Sequence, residues 1–292
     1  MAVAIQSIRV GLVAAGLMAC APQLVDVVSG VSCCDDPNQP GCGGSSGTTG
    51  GMASGGTGGS QGQGGAGAST GGAGALVHRY TFRGEGIDVT DSVGTANGNV
   101  LGTTLDGKGS VSVIDTSPEQ YVELPSFILR GLRNATFEAW VTWSGGAEWQ
   151  RIFDFGEDLS GEHGSRGTGR SYLFFTPDDG SGRPKVVFGK PKTVESTFLF
   201  ANVAFPKDLP THTAVVVDAN QKRISVFING GFQGSAEFND TLDYIYDINN
   251  WLGRSNFAVD SGFNGTFHDF RIYNAALDAN QILANYQAGM PP

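Results

Sequence analysis

The chain has 292 residues, 45 of them glycine, and a formal net charge of -10. That acidic balance opposes binding to nucleic acid or anionic lipid, which needs a basic stripe, and the sequence contains none. The first quarter is so glycine-rich that only the sequence after about residue 75 can build a core, so one domain is expected, large enough to be stable without metals or disulfides.

Residues 1 to 20, MAVAIQSIRVGLVAAGLMAC, place Arg9 before an apolar run and small residues before Cys20, the pattern of a secretory signal. The run, about 10 residues long, falls short of the ~20 that span a bilayer. Leu17, Met18, Ala19 and Cys20 resemble the lipobox of bacterial lipoproteins, whose cysteine is lipidated and becomes the new N-terminus. Ala21 stands where an aspartate would retain such a protein at the inner membrane. The resemblance therefore implies lipidation at Cys20 and an exported outer-membrane or cell-surface lipoprotein, with a secreted protein as the alternative. Membrane contact is expected only through the lipid anchor.

Cys33, Cys34 and Cys42 follow, in a setting that permits disulfides. A loop from Cys33 or Cys34 to Cys42 leaves one thiol over, which can cross-link two chains into a dimer. Zinc is the minor reading, because three clustered cysteines lack a fourth ligand and zinc-ribbon spacing. Residues 43 to 74 are nearly all Gly, Ser, Thr, Ala and Gln, too poor in apolar side chains to offset the entropy of ordering. They read as a flexible tether with an r.m.s. span of roughly 30 Å.

The domain is expected from 75 to 292. ALVHRYTF (75 to 82) alternates as a first strand, and strands follow at about 98 to 102, 110 to 114 and 119 to 124. SFILRGL reads as a single helical turn. From 134 to 157, NATFEAWVTWSGGAEWQRIFDFGE reads as a central hairpin closed by a glycine-bearing loop. In its first arm Phe137, Ala139, Val141 and Trp143 share a face, and Trp140 interrupts the polar one. In its second arm Trp149, Arg151, Phe153 and Phe155 share a face, with Gln150, Ile152 and Asp154 opposite.

Further strands are expected at 170 to 176, 185 to 189 and 198 to 203, with the turn DDGSGRP between the first two. THTAVVVD pairs with RISVFING, where Ile224, Val226 and Ile228 face Val215 and Val217, and Asn229-Gly230 turns the chain. The return strand, 232 to 238, places Phe232, Ala236 and Phe238 on one face. NNWLGRS and GTFHDFRIY are the last strands. Asp278 and Gln281 then form a capping-box pattern ahead of one short helix with Ile282, Leu283 and Tyr286 on its apolar stripe. Many short strands, turns and one terminal helix predict an all-β fold of two packed antiparallel sheets.

FEAWVTW with WQRIFDFG, the early YTF followed by DSVG and NG, the FING strand, and WLGRS with DFRIYNAALDANQI resemble the laminin-G-like, concanavalin A-like jelly-roll family across nearly all of 76 to 288. The resemblance implies a two-sheet jelly-roll sandwich whose members mostly bind glycans, proteins or calcium. It also implies a structural calcium where the loop after the first strand meets the last strand. The matching positions are Asp91 and Asp269, with loop carbonyls near Asn97 as further ligands. A turn-capping Asp91, and an Asp269 paired with Arg271 or Arg79, is the competing reading.

Sugar recognition combines aromatic stacking with planar polar groups, and Trp140, Trp149, Tyr172, Trp251, Arg151, Asp154 and Arg254 supply both. Each has a structural alternative: a strand tryptophan as core, and Arg151 with Asp154 as an ion pair. Catalysis finds little support. No E-x-D-x-x-E strand or HExxH occurs, and the histidines are scattered. The expected role is a tethered, non-catalytic module for carbohydrate binding or adhesion, with glycans or cell-surface proteins as partners. The alternative is a structural envelope or protein–protein module without a sugar site.

Overall fold

The computed structural model describes residues 75–191 and 197–291. The signal, Cys20, Cys33, Cys34, Cys42 and the whole of the tether lie outside the described residues. In chain order the strands are β1 (Leu76–Tyr80), β2 (Glu85–Gly86), β3 (Asp88–Val89), β4 (Gly98–Leu101), β5 (Leu105–Asp106), β6 (Val111–Val113), β7 (Tyr121–Leu124), β8 (Ala135–Trp143) and β9 (Phe153–Glu157). There follow β10 (Ser171–Thr176), β11 (Lys185–Gly189), β12 (Thr197–Phe200), β13 (Pro210–Asp218), β14 (Arg223–Ile228), β15 (Gly231–Glu237), β16 (Asn249–Leu252) and β17 (Gly265–Tyr273), then helix α1 (Ala279–Gln287).

One sheet runs β1-β17-β8-β13-β14-β15, with β6 on β17, and the other runs β12-β11-β10-β9-β16-β7-β4-β3; β2 and β5 form a separate small pair. The expected all-β sandwich of antiparallel sheets is the fold observed. Alternation sets which side chains meet inside. Phe137, Ala139, Val141 and Trp143 of β8 project into a core shared with Phe153 and Phe155 of β9 and Leu173 and Phe175 of β10. Phe137 packs 5.4 Å from Phe153 and 5.6 Å from Phe155, centroid to centroid, and Phe270 of β17 lies 6.1 Å and 6.0 Å from the same two rings.

The central hairpin is not observed. β8 pairs with β13 and β17, whereas β9 pairs with β10 and β16 in the opposite sheet. The two arms therefore face each other across the core, joined by a loop that crosses between sheets. In that loop Trp149 has φ +60, so the alternation read through the second arm breaks. Ile152 enters the core, while Arg151 and Trp149 turn to the outer surface layer with Phe174. SFILRGL forms hydrogen-bonded turns rather than helix, with Arg130 N–H donating to Phe127 O and Leu132 N–H to Leu129 O.

The expected 211–230 hairpin forms, with Val215 against Val226 and Val217 against Ile224, and both Asn229 and Gly230 take positive φ at its turn. A bulge between Val226 and Phe227 shifts β15, so Phe232 is exposed while Phe238 is buried. Helix α1 starts at the capping box of Asp278 and Gln281. It lies on the outer side of the seven-stranded sheet, with Tyr286 stacked on Trp140 at 5.8 Å and Asn285 donating to both oxygens of buried Glu138. Trp140 interrupts a polar strand face because this helix covers it.

Phe153 touches rings from both sheets, so Phe153→Ala should cost about 3–5 kcal/mol, read as a lower denaturant midpoint at unchanged slope. A loss below about 1 kcal/mol would mean that the sheets do not meet through this ring.

Candidate ligand-binding face

The pleat that sends Phe153, Phe155, Leu173 and Phe175 inward sends Asp154, Tyr172 and Phe174 outward. Across the eight-stranded sheet Glu123, Trp251, Asp154, Phe174 and Val187 occupy neighbouring register positions on β7, β16, β9, β10 and β11. The residues expected to bind sugar, Trp149, Arg151, Asp154, Tyr172, Trp251 and Arg254, thus gather on one outer face from three separate stretches of chain. Trp140 is on the other sheet and does not belong to the group.

Most of that face is already filled by the protein itself. The Arg151 guanidinium lies 3.8 Å from the Phe174 ring centroid and pairs with Asp154 at 3.2 Å and with Asp260. It is 1% exposed. Asp154, fully buried, also accepts from the Asn256 backbone N–H (3.0 Å) and side-chain amide (2.9 Å). Burial pushes its carboxyl above the usual range, against the pull of Arg151 and Asn256. Losing one partner of such a pair strands the other charge, so the arrangement holds the loop at 255–260 to the sheet.

Trp251 is fully buried, capped by the Arg254 guanidinium at 4.0 Å from its ring, and Arg254 is held by Glu119 at 2.8 Å. Tyr172 lies over Gly189, where a Cβ would collide with its ring, and packs 5.1 Å from Phe257. Arg151, Asp154, Tyr172 and Trp251 are therefore corrected from sugar contacts to packing and ion-pair residues. The stacking surfaces they offer are taken by guanidinium groups and neighbouring rings. Arg254 is partly exposed but committed to Glu119 and Trp251.

Trp149 differs. It is half-buried, with its N–H bonded to Asp178 O at 2.8 Å and Lys185 Nζ 5.1 Å from its ring. A bulky residue at positive φ is uncommon and concentrates at functional positions. Phe257, Asp260 and Lys185 complete the face and carry no sequence signal of their own: the first two sit in an aperiodic loop, and Lys185 opens a strand like any edge lysine.

The calcium expectation does not fit its residues. Asp91 Oδ1 accepts from the N–H groups of Arg79 (2.9 Å), Val93 (3.1 Å) and Gly94 (3.0 Å), while Oδ2 accepts from Ala96 N–H (3.2 Å) and lies 2.7 Å from His78 Nδ1. Asn97 Oδ1 accepts from the Asp91 N–H at 2.9 Å. Asp269 is bound by Arg79, 3.1 Å from Nε, and by Arg271. Calcium needs several oxygens with open lone pairs, and these oxygens face N–H donors and two guanidinium groups. Asp91 and Asn97 instead tie the 91–97 loop to β1, and Asp269 neutralises the arginines beside it. Burial raises the Asp91 carboxyl, but the bonds from His78, Arg79, Gly94 and Val93 outweigh it and hold the value at about 2.

Two packed antiparallel sheets in this strand order, one helix on the outer side and a sheet face closed by loops define a jelly-roll sandwich. The model of the concanavalin A-like lectin/glucanases superfamily matches residues 115–283, more than half of the chain. The chain belongs to that superfamily. Among solved structures it is similar to domain 4 of AbnA, a GH43 extracellular arabinanase from Geobacillus stearothermophilus, solved in complex with arabinotriose. That similarity has 20% identity and TM-score 0.53, and covers 72% of this chain and 98% of that one. It is also similar to the Botulinum neurotoxin serotype G binding domain, at 14% identity and TM-score 0.55, over 73% of this chain and 51% of that one. The chain thus spans about half the length of that neurotoxin domain. At these identities the likeness is one of fold. No curated protein matches the chain.

Asp91→Asn should cost roughly 2–3 kcal/mol, because an amide nitrogen would face N–H donors. The folded Asp91 pKa lies below the ordinary 3.8, so its contribution is complete above about pH 4 and is lost as pH falls toward about 2. Thermal melts of the wild type with added calcium and with chelator should coincide; a Tm raised by calcium would show that this account of Asp91 and Asp269 is mistaken.

Proposed function

We infer that this domain is a non-catalytic, lectin-like module that binds glycan at the Trp149 edge of its eight-stranded sheet, displayed at a cell surface through the glycine-rich segment that precedes it. The observation that carries the reading is Trp149 itself. Its ring meets Phe174 edge-on, with the Arg151 guanidinium 5.9 Å and Lys185 Nζ 5.1 Å from its centroid, and it stays half-buried where Tyr172 and Trp251 are buried. A partly open indole beside Lys185 and the exposed loop at 178–183 offers an apolar platform with polar groups at its rim, the chemistry that grips a sugar ring.

The carboxylates of the outer face support a binding role over a hydrolytic one. Asp154 is held by Arg151 and Asn256, Glu119 by Arg166 and Arg254, and Asp260 by Arg151 and Ser255. Glycoside hydrolysis needs one carboxyl free to protonate and another free to attack or to activate water. The arabinotriose bound to the AbnA domain adds support only by analogy of fold. Display rests on the leader that ends in Cys20 and on the glycine-rich linker.

Trp149→Asn keeps a residue that accepts left-handed φ while removing the ring. On a glycan array the full-length wild type should bind at least one oligosaccharide, and Trp149→Asn should weaken it about tenfold or more at unchanged Tm. Equal binding by the two proteins, or an empty array, would count against the reading. For the tether, Cys20→Ser should move the protein from the membrane fraction to the soluble one; a variant that stays with the membrane would refute lipid anchoring.

A further inference from the structure

A separate cavity of about 170 Å³ lies at the far end of β8 from Trp149, lined by Phe127, Leu129, Arg130, Asp243, Tyr246 and Asp247 among others. Its walls are two loops that pass between the sheets, one joining β7 to β8 and the other joining β15 to β16. They meet because β7 and β16 are antiparallel neighbours, with Leu124 opposite Asn250. The loops are locked together: Phe127 N–H donates to Asp247 O at 2.7 Å, and Ser126 Oγ donates to Ile248 O at 2.7 Å.

We propose that this cavity is a subsite for a single neutral sugar ring, gripped through a hydroxyl that donates to Asp247 Oδ1 and through its C–H face by Tyr246. The proposal rests on the glycan-binding reading above and adds a second, ring-sized point of attachment.

Three observations carry it. The first is the aromatic wall. Tyr246 is 51% exposed although Ile245 beside it is buried, and Phe127 meets it edge-on at 5.3 Å. Phe127 itself has φ +64, a conformation a bulky residue adopts only where its surroundings impose it. Arg130 lies 4.7 Å from the Phe127 ring and takes up that ring's face, which leaves Tyr246 as the open platform.

The second is the carboxylate. Asp247 is 3% exposed, and its Oδ2 is fixed by Leu129 N–H at 2.9 Å and Asn250 Nδ2 at 3.2 Å. Oδ1 receives no hydrogen bond from another described residue. Burial raises this carboxyl to about 6, against the bonds from Leu129, Asn250 and its own backbone N–H and the charge of Arg130.

The third lies behind it. Asn250, whose amide serves Asp247 and Pro125 O, keeps a buried Oδ1 with no hydrogen-bond partner among the described residues. Buried polar groups are ordinarily satisfied, so the layer behind Asp247 carries one acceptor without a donor among the described residues. Hydroxyl groups are donors, and one can serve Asp247 Oδ1 while Oδ2 keeps its bonds to Leu129 and Asn250. A cationic ligand would meet Arg130, and an anionic one Asp243 and Asp247.

The test is ligand-observed NMR or calorimetry on the full-length chain with free glucose, galactose, mannose, arabinose and N-acetylglucosamine, for the wild type, Trp149→Asn, and Trp149→Asn combined with Tyr246→Ala or with Asp247→Asn. At least one sugar should bind the wild type with a Kd of about 1 mM. Tyr246→Ala and Asp247→Asn, each made in the Trp149→Asn background, should weaken the binding that Trp149→Asn retains about tenfold or more. No binding of any of the five sugars to Trp149→Asn, or binding to Trp149→Asn that survives the addition of Tyr246→Ala, overturns the subsite. Should Asp247→Asn fail to fold, the exposed Tyr246 ring still decides the matter. Monosaccharide binding that persists while oligosaccharide binding is indifferent to Trp149 would sink the Trp149 reading alone.

Discussion

Two sheets that share one interior must give up one face of every strand to it, and here phenylalanine rings make the seam. Phe137 and Phe270 from the seven-stranded sheet meet Phe153 and Phe155 from the eight-stranded one, with Phe175 6.3 Å from Phe153. Because successive side chains alternate, fixing Phe153 and Phe155 inward fixes Asp154 outward, and the same parity places Phe174 and Trp251. A slip of one residue in β9 would bury a carboxylate among phenylalanines. The outer face is thus a consequence of the core register, and its chemistry follows from that constraint.

That outer face is largely a second packed layer. Tyr172, Phe174 and Val187 form their own small cluster, with Trp149 and Phe257 against it. Arg151 enters it because two carboxylates and the Phe174 ring together replace the water it loses. Buried ion pairs contribute little net stability, yet they specify which loop sits where. Here the pairs with Asp154 and Asp260 fasten the 255–260 loop over the strands. The middle of the sheet is thereby filled by the protein itself, and rings remain partly open only toward its margins.

What the sequence disclosed and what it hid divide along the same physical line. Alternation placed β11 and the β13–β14 pair, because their side-chain period and the Asn229-Gly230 turn are local properties. The capping box at Asp278 and Gln281 is local too, and it stands. Pairing is not local: the period in β8 and β9 says that each has a core face but not that they belong to different sheets. Nor does sequence show that Arg254 folds onto Trp251, or that five donors converge on Asp91. Tryptophan beside arginine and aspartate reads as a sugar platform until the distances show the arginine occupying the ring. Tyr244, Ile245 and Tyr246 carried a usable signal, two exposed rings flanking a buried isoleucine, hidden by its brevity inside a turn-rich stretch.

The two candidate sites each lie beside a crossing between the sheets, although the open ring at one of them, Tyr246, is not itself the left-handed residue. The loop before β8 and the loop after it each carry the chain from one sheet to the other, and each spends a left-handed residue on the crossing: Phe127 at φ +64 and Trp149 at φ +60. A residue in that conformation cannot continue the pleat, so its side chain leaves the alternation that would have buried it. Aromatic rings at such points end up neither in the core nor in open water. Between the two crossings runs β8, nine residues long and therefore roughly 27 Å from end to end. Sites that far apart with no shared partners respond independently to substitution. An extended glycan reaching both would gain from their linkage without any new contact, since engaging one end raises the effective concentration at the other. Where a sandwich must switch sheets, its own geometry supplies the half-exposed rings that a sugar can use.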